Sequence, residues 1–317
     1  MDARVEEVEA VIERLRAEFE RHMREKLRSE PSGQLIWEVV EGGKRLRPAF
    51  LLMVFDCLDG KDREMALDVA YALELAHNAS LVHDDIIDLD FFRRGKPSLW
   101  RRIGIGRAVI EGHRIINVAF STALEKGQEI ARIFLEAWDR ASLGVLEEIV
   151  ATRPPSEIFY QRVIEHKTGS LFAAAAESAA VCAGVGGTLR EAIKRYGLLV
   201  GTAYQIADDI VEMKRRPLGL SLMLALTRLE DAFVKFALAL RTRSLRALLS
   251  FAKVRGKDVS FFTSMLEEKL EEIDKLVDSL PLDPDRRVLL KSFPRYCVRE
   301  MLKEGRVDVG TVRGLRG

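Results

Sequence analysis

Proline is scarce in this chain. Its 317 residues hold 9, and none falls within 98–153, 156–216 or 218–280. Proline removes a backbone donor and clashes with the preceding turn, so its absence leaves room for many long helices. Cysteine is scarcer still. Cys57, Cys182 and Cys297 lie far apart without CxxC spacing. That excludes a disulfide framework or a zinc ribbon and fits buried small residues in a reducing cytoplasm. Charge of one sign is also missing. The 50 Lys+Arg and 49 Asp+Glu leave a net charge of +1, too balanced for a general nucleic-acid binder. No apolar run reaches 18 residues, and the most apolar stretch, 173–183, is broken by Glu177. No membrane span is expected. The first residues alternate charges (Asp2, Arg4, Glu6, Glu7), unlike a signal peptide. A cytoplasmic protein is the expectation.

What is present is rich in Ala, Leu, Glu, Arg and Ile, mostly good helix formers. Val5, Val8, Val11, Ile12 and Leu15 recur at helical spacing. Ala66, Val69, Ala70, Leu73 and Ala76 do the same. Breaks fall at the glycine cluster 184–187, with Thr188 as an expected N-cap, and at Pro154 and Pro155, with Ser156 as another. Strand-like alternation is hard to find. No linker or composition shift divides the chain. The expectation is one all-α domain over 1–317, a large helical bundle of ten or more helices around one core. Two Asn and four Gln beside heavy use of Glu and Arg fit a chain built for heat.

The segment LVHDDIID at 81–88 places Asp84 and Asp88 four apart. On a helix they share a face about 6 Å apart along the axis. Like charges there repel, and the apolar neighbours Leu81, Val82, Ile86 and Ile87 raise the cost of unpaired charge. A hard divalent cation such as Mg²⁺ offsets both effects. Alone, the segment reads equally as an acidic stripe on a solvated face. It recurs, however, as QIADDIVE at 205–212, with Asp208 and Glu212 four apart. Two such clusters on facing helices form a clamp for metal-bound phosphates. Bases accompany them. GGKRLRP at 42–48 sets three bases behind two glycines, Arg93 and Arg94 follow the first cluster by five residues, and Lys167 precedes Thr168. Glycine lets backbone approach an anion, and the bases supply charge-assisted bonds.

In order and spacing, GGKRLRP (42–48), LVHDDIID (81–88), RRGKP (93–97), KT (167–168) and YQIADD (204–209) resemble the trans-isoprenyl diphosphate synthases, over residues 35 to 300. The resemblance implies an all-α prenyltransferase fold with a deep central cavity, usually a homodimer. It implies condensation of an allylic prenyl diphosphate with isopentenyl diphosphate, using two or three Mg²⁺ ions. By position, Asp84, Asp88, Asp208, Asp209 and Glu212 would bind metal, with Asp85 supporting them. Arg93, Lys167, Thr168 and Gln205 would hold the allylic diphosphate. Lys44, Arg47, His77 and Arg94 would hold isopentenyl diphosphate. The catalytic set is then Asp84, Asp85, Asp88, Arg93, Lys167 and Asp208.

The chain departs from the family pattern in places. Glu212 stands where Asp is usual. The following segment, 213–222, is short, with Arg216 in place of a lysine and Leu220 and Ser221 in place of a polar–acid pair. Trp100 replaces a common His, and His113 after Gly112 replaces an Asp. For product length, Ala76, Ala79 and Ser80 are expected below Asp84 on roughly one face, all small, where the family stops the chain with an aromatic. Leu73 and Leu75 come next, roughly 14–17 Å down, and Phe120 is a candidate for the floor. The reading is a geranylgeranyl (C20) diphosphate synthase. The alternatives are a longer-chain polyprenyl diphosphate synthase, a non-catalytic regulatory subunit of a heteromeric synthase, and a terpene cyclase. GGKRLRP disfavours the cyclase, which has no second diphosphate to hold.

Overall fold

A computed structural model of the chain describes residues 3–150, 157–215, 259–312 and 315. Helices α1 (Ala3–Ser29), α2 (Gly33–Val40), α3 (Leu46–Cys57) and α4 (Arg63–Ile87) come first. A two-stranded hairpin follows, β1 (Phe92–Arg93) antiparallel to β2 (Lys96–Pro97). Next are α5 (Leu99–Ile103), α6 (Ile105–Glu125), α7 (Gln128–Val150) and α8 (Glu157–Ile164). A π-helical turn (Glu165–Gly169) leads into α9 (Ser170–Cys182) and α10 (Gly187–Arg215). Helices α11 (Val259–Asp278) and α12 (Pro284–Glu304) close the bundle. The all-α expectation holds. The hairpin is the addition, and its turn has Arg94 at φ +53° and Gly95 at φ +76°, the doubly positive geometry of a tight hairpin.

Local chemistry sets several ends. The Asp62 side chain accepts from Met65 N at 2.9 Å and starts α4. Asp283 accepts from Arg286 N at 3.0 Å before Pro284 opens α12. The expectation for Thr188 is corrected: α10 begins at Gly187, so Thr188 lies inside the first turn. Pro154, Pro155 and Ser156 lie outside the described residues.

The helical spacing buries what it should. Val8, Ile12 and Leu15 on α1, and Ala66, Val69, Ala70, Leu73 and Ala76 on α4, all face the main core. Phe50 on α3 lies at its centre, 5.5 Å from the Phe172 ring, 5.7 Å from Tyr196 and 4.9 Å from Phe293. One aromatic thus joins α3, α9, α10 and α12. The three cysteines are buried and free, and burial pushes the Cys57 and Cys182 thiols up to about 12, so they are inert. Far below the acidic end of α4, Asp68 is 1% exposed. It pairs with His22 and Lys26, each at 2.7 Å, and with Lys126, tying α1 and the end of α6 to α4. No helix among the described residues is long and apolar enough to cross a membrane.

The α9–α10 contact positions the site. Helix α9 is rich in alanine and buried nearly all round. Its partner presents Gly197 and Gly201 at a spacing of four. A Cβ on Gly197 would meet Phe172 O at 2.4 Å, and one on Gly201 would meet the Gly169 Cα at 2.9 Å. The two backbones therefore touch where a side chain would hold them apart. One turn beyond Gly201 stands Gln205. Gly197→Ala is expected to overpack this contact and lower the melting temperature by roughly 2–5 °C in a thermal melt.

Candidate functional site

The C-terminal end of α4 carries an unfavourable charge arrangement. Asp84 and Asp85 lie in its last turn, Asp88 caps it, and no base lies in that turn. The end of a helix is already negative, so acids here add to the dipole instead of offsetting it. Burial raises Asp84, with Glu148 and Asp85 adding to the shift and Lys167 and Arg93 opposing it. Asp88 is pushed up to about 6. Loss of surrounding water is the main cause, Lys167 opposes it, and Asp84, Glu148 and Asp90 add to it. Asp85 differs. It is 3% exposed and its Oδ1 accepts from Arg93 Nε at 2.8 Å and from Arg93 Nη2. Arg93, expected on a diphosphate, is bound here by its own cluster.

The π-helical turn joins the two acidic helices. Lys167 Nζ donates to Glu148 Oε2 on α7 at 2.8 Å. Burial alone would lower this amine, but Glu148, Asp84 and Asp88 together raise it. A Cβ on Gly144 would meet Lys167 N at 2.8 Å, so glycine there lets the turn approach α7, one turn before Glu148. The next residue points elsewhere. Thr168 Oγ1 donates to Gln205 Oε1 at 2.7 Å, Gln205 Nε2 donates to Asp209 Oδ1 at 3.1 Å, and Tyr160 Oη donates to Asp209 Oδ2. Lys167 thus serves the first cluster and Thr168 the second. Widened turns of this kind recur at functional sites.

The metal ligands expected from the sequence are not all gathered. Among the described residues no three Asp, Glu, His or Cys side chains converge on one ion position. Asp209 is held by Tyr160 and Gln205. Asp208 is exposed. The Glu212 side chain, Arg216, Leu220 and Ser221 lie outside the described residues. The hard, under-compensated oxygens of Asp84 and Asp88 fit a divalent cation whose other ligands are phosphate and water, the usual habit of Mg²⁺.

A second charged region lies lower on α4. The two glycines of GGKRLRP make room for arginines. A Cβ on Gly43 would meet Arg45 Nη1 at 2.4 Å and Arg94 Nη2 at 3.1 Å. Arg45, at φ +50°, is 5% exposed and donates to Glu20 at 2.8 Å, Val40 O at 2.5 Å and Glu74 at 3.1 Å. It is a structural pin. Arg94 Nη1 donates to the carbonyls of Val39, Val40 and Glu41 at 3.1, 3.1 and 3.0 Å. Arg47 Nη1 donates to His77 Nε2 at 2.8 Å. Burial, then Arg47, Arg94, Arg93 and Arg45, hold His77 well below its ordinary range. The ring is therefore neutral, and its proton sits on Nδ1. Both His77 Nδ1 and Arg47 Nε are buried with no hydrogen-bond partner among the described residues. Buried orphan donors are costly, and an acceptor such as an oxyanion is what each of them lacks. Lys44 pairs with Glu304 at the end of α12.

The three small residues expected in the channel wall stand at different angles on α4. At 100° per residue, position 79 lies about 140° around the helix from Asp84, while Ser80 lies about 40° away. Ala79 is 0% exposed and Ala76 4%. Both pack in the core, and only Ser80 of the three is partly open. Phe120 packs edge-on against Trp138, ring centroids 5.9 Å apart. Among the family departures, Trp100 Nε1 donates to Asp90 O at 2.9 Å and locks the loop after α4. Gly112 leaves space for His83, whose Nε2 a Cβ there would meet at 2.5 Å.

Sequence reading missed Glu148, Tyr160, Glu74 and Asn78. Two of them carried a signal: Glu148 follows Gly144 by four, and Asn78 follows Glu74 by four on the helix that bears Asp84. Tyr160 carried none.

Comparison with known proteins follows the same lines. The Polyprenyl synthetase family model matches residues 31–220. The geranylgeranyl diphosphate synthase of Methanosarcina mazei is 32% identical over 180 residues, 54% of this chain and 55% of that protein. The geranylfarnesyl diphosphate synthase of the same organism is 36% identical over 172 residues, 54% of this chain and 58% of that protein. The chain thus matches little more than half the length of these relatives. A solved polyprenyl synthase from Caulobacter crescentus, complexed with calcium and isoprenyl diphosphate, covers 93% of this chain and 97% of its own. It superimposes with a TM-score of 0.71 at 24% identity, a likeness of fold. The family match takes in the acidic helix end, the lysine–threonine π turn and the arginine cradle and spans more than half of the chain, so this chain belongs to the polyprenyl synthetase family.

Proposed function

We propose that the chain is a Mg²⁺-dependent trans-prenyltransferase that condenses isopentenyl diphosphate with allylic diphosphates to give geranylgeranyl diphosphate (C20) and pyrophosphate. The observation that carries this reading is a pair of unlike charged sites along α4. Under-compensated carboxylates end that helix, and two turns lower His77 carries an orphan donor, Nδ1, beside a second, Nε of its α3 neighbour Arg47. A single-diphosphate enzyme needs only one such site.

Bound between Asp84 and Asp88, Mg²⁺ would supply positive charge for a departing pyrophosphate. The chain's own bases do the rest. Lys167 is held charged beside Asp84 and Asp88, and Arg93 can exchange Asp85 for a phosphate oxygen. Both are aimed at charge that develops as the allylic C–O bond breaks. The isopentenyl double bond then attacks the allylic carbon, and pyrophosphate takes the proton lost. No histidine base is required: His83 packs on α6, and His77 accepts from Arg47. Support for C20 comes from α4, which carries no aromatic residue from 72 to 83, leaving roughly 16 Å from Asp84 to Leu73.

The protein is proposed to act as one domain, since its main core draws on residues from Val8 to Leu315. A homodimer in the cytoplasm is proposed. Ile110 and Leu124 on α6 and Leu135, Leu143 and Leu146 on α7 are large, apolar and exposed, an unusual surface for a monomer.

Purified protein given Mg²⁺, labelled isopentenyl diphosphate and each allylic primer is expected to form chain-extended diphosphates ending at C20. Longer products would point to a polyprenyl synthase. Label left wholly in isopentenyl diphosphate would point to a regulatory subunit, and cyclic hydrocarbon to a cyclase. Ser80→Phe is expected to shorten the product by at least one C5 unit on reversed-phase chromatography. Ala79→Phe is expected to cost several degrees of melting temperature instead. Metal binding has a pH signature. The folded Asp88 is raised to about 6 from 3.8, so the folded state holds the extra proton and loses stability as pH climbs between those values. A cation must displace that proton. Thermal stabilisation by Mg²⁺ is therefore expected to be larger at pH 8 than at pH 5, in matched melts with and without the ion.

A further inference from the structure

Asn78 has no part in the reaction described above, yet it is 1% exposed and sits at the middle of a buried relay. Its Nδ2 donates to the Glu74 main-chain oxygen at 2.8 Å and to Glu74 Oε1 at 3.0 Å. Both partners only accept, so the amide cannot turn over without setting oxygen against oxygen. That choice aims Asn78 Oδ1 at Arg94, whose Nη2 donates to it at 2.9 Å. Glu74, 3% exposed, is itself anchored by Arg45 Nη1 at 3.1 Å. The chain of contacts runs from Arg45 through Glu74 and Asn78 to Arg94.

Arg94 is held from two directions. Nη1 reaches the last carbonyls of α2 and Nη2 reaches Asn78. A planar guanidinium fixed at both terminal nitrogens has a single orientation. Its backbone, at φ +53°, is set by the tight hairpin turn, so the side chain leaves the hairpin from a fixed point. The negative charge of Glu74 also reaches Arg47 and Arg94, and so keeps like charges together without a ligand.

We propose that Asn78 and Glu74 are positioning residues, which fix the Arg94 guanidinium in the orientation that receives the diphosphate of isopentenyl diphosphate. The proposal rests on the prenyl-transfer reading and assigns it a preorganised second anion site. A merely structural Asn78 would weaken both ligands or neither.

The test is calorimetric titration of the full chain, as Asn78→Ala, Arg94→Ala and the double variant. The ligands are isopentenyl diphosphate and a non-reactive allylic thiodiphosphate. Asn78→Ala is expected to weaken isopentenyl diphosphate about tenfold and the allylic analogue less than twofold. In the Arg94→Ala background it is expected to add nothing, since the two act as a unit. Equal losses for both ligands, an additive double variant, or wild-type affinity in Asn78→Ala would overturn the relay. If Asn78→Ala does not melt cooperatively, Asn78→Ser replaces it. Its hydroxyl can still bond the Glu74 main-chain oxygen but is too short for Arg94, so the same selective loss is expected and wild-type affinity overturns the proposal. Wild type that binds isopentenyl diphosphate but elongates no primer would sink the synthase reading alone. Wild type that elongates while the Asn78 variants bind normally would sink the relay alone. Wild type that binds no isopentenyl diphosphate overturns both.

Discussion

Carboxylates crowd the negative end of a largely buried helix, and much of the molecule is arranged around that fact. Asp84, Asp85 and Asp88 repel one another, oppose the α4 dipole and lose part of their hydration. Nothing on α4 itself relieves them, because its last turn holds no base. Relief comes from three other elements. The hairpin contributes Arg93 to Asp85. The π turn brings the charge of Lys167 to Asp84 and Asp88. A divalent cation would contribute the remainder. Such a site is poorly satisfied in itself, and the metal and phosphate proposed for it would offset the deficit.

The cationic half solves the opposite problem. Arg45, Arg47 and Arg94 stand close together, Arg45 buried, Arg47 half-buried and Arg94 exposed, although like charges repel. The helix α2 carbonyls, the buried Glu74 carboxylate and a neutral His77 offset their charge. Two of the three arginines sit in left-handed backbone conformations, at about 1 kcal/mol or more each, and Gly43 vacates the space that two guanidinium groups fill. The motif's glycines, expected to admit an anion, here admit arginines. Breaking the Arg45–Glu74 pair from one side would strand a buried charge, a loss of about 3–5 kcal/mol.

Small residues connect these two halves to the fold. Gly197 and Gly201 bring α10 against the alanine-rich α9, and Gly144 brings the π turn against α7. These close approaches set Thr168 on Gln205 and Lys167 on Glu148. Glycine and alanine therefore act at a distance, by fixing how far apart the polar side chains stand.

The sequence by itself determined the helical class, the two acidic clusters, the bases that accompany them and the family. Each of these is local: periodicity, charge spacing and short motifs are properties of neighbours along the chain. It also determined that Asp84 and Asp88 share a face, because a spacing of four on a helix leaves little choice. Only the tertiary structure decided the partners. It buried Ala79, gave Arg93 to Asp85 and Asp209 to Tyr160, and made His77 a neutral acceptor. It also recruited Glu148 from α7 and Glu74 and Asn78 from lower on α4. Those outcomes depend on which helix faces which, and on how closely glycines let them approach. Burial and charge are sums over neighbours distant in sequence, so no window of residues contains them.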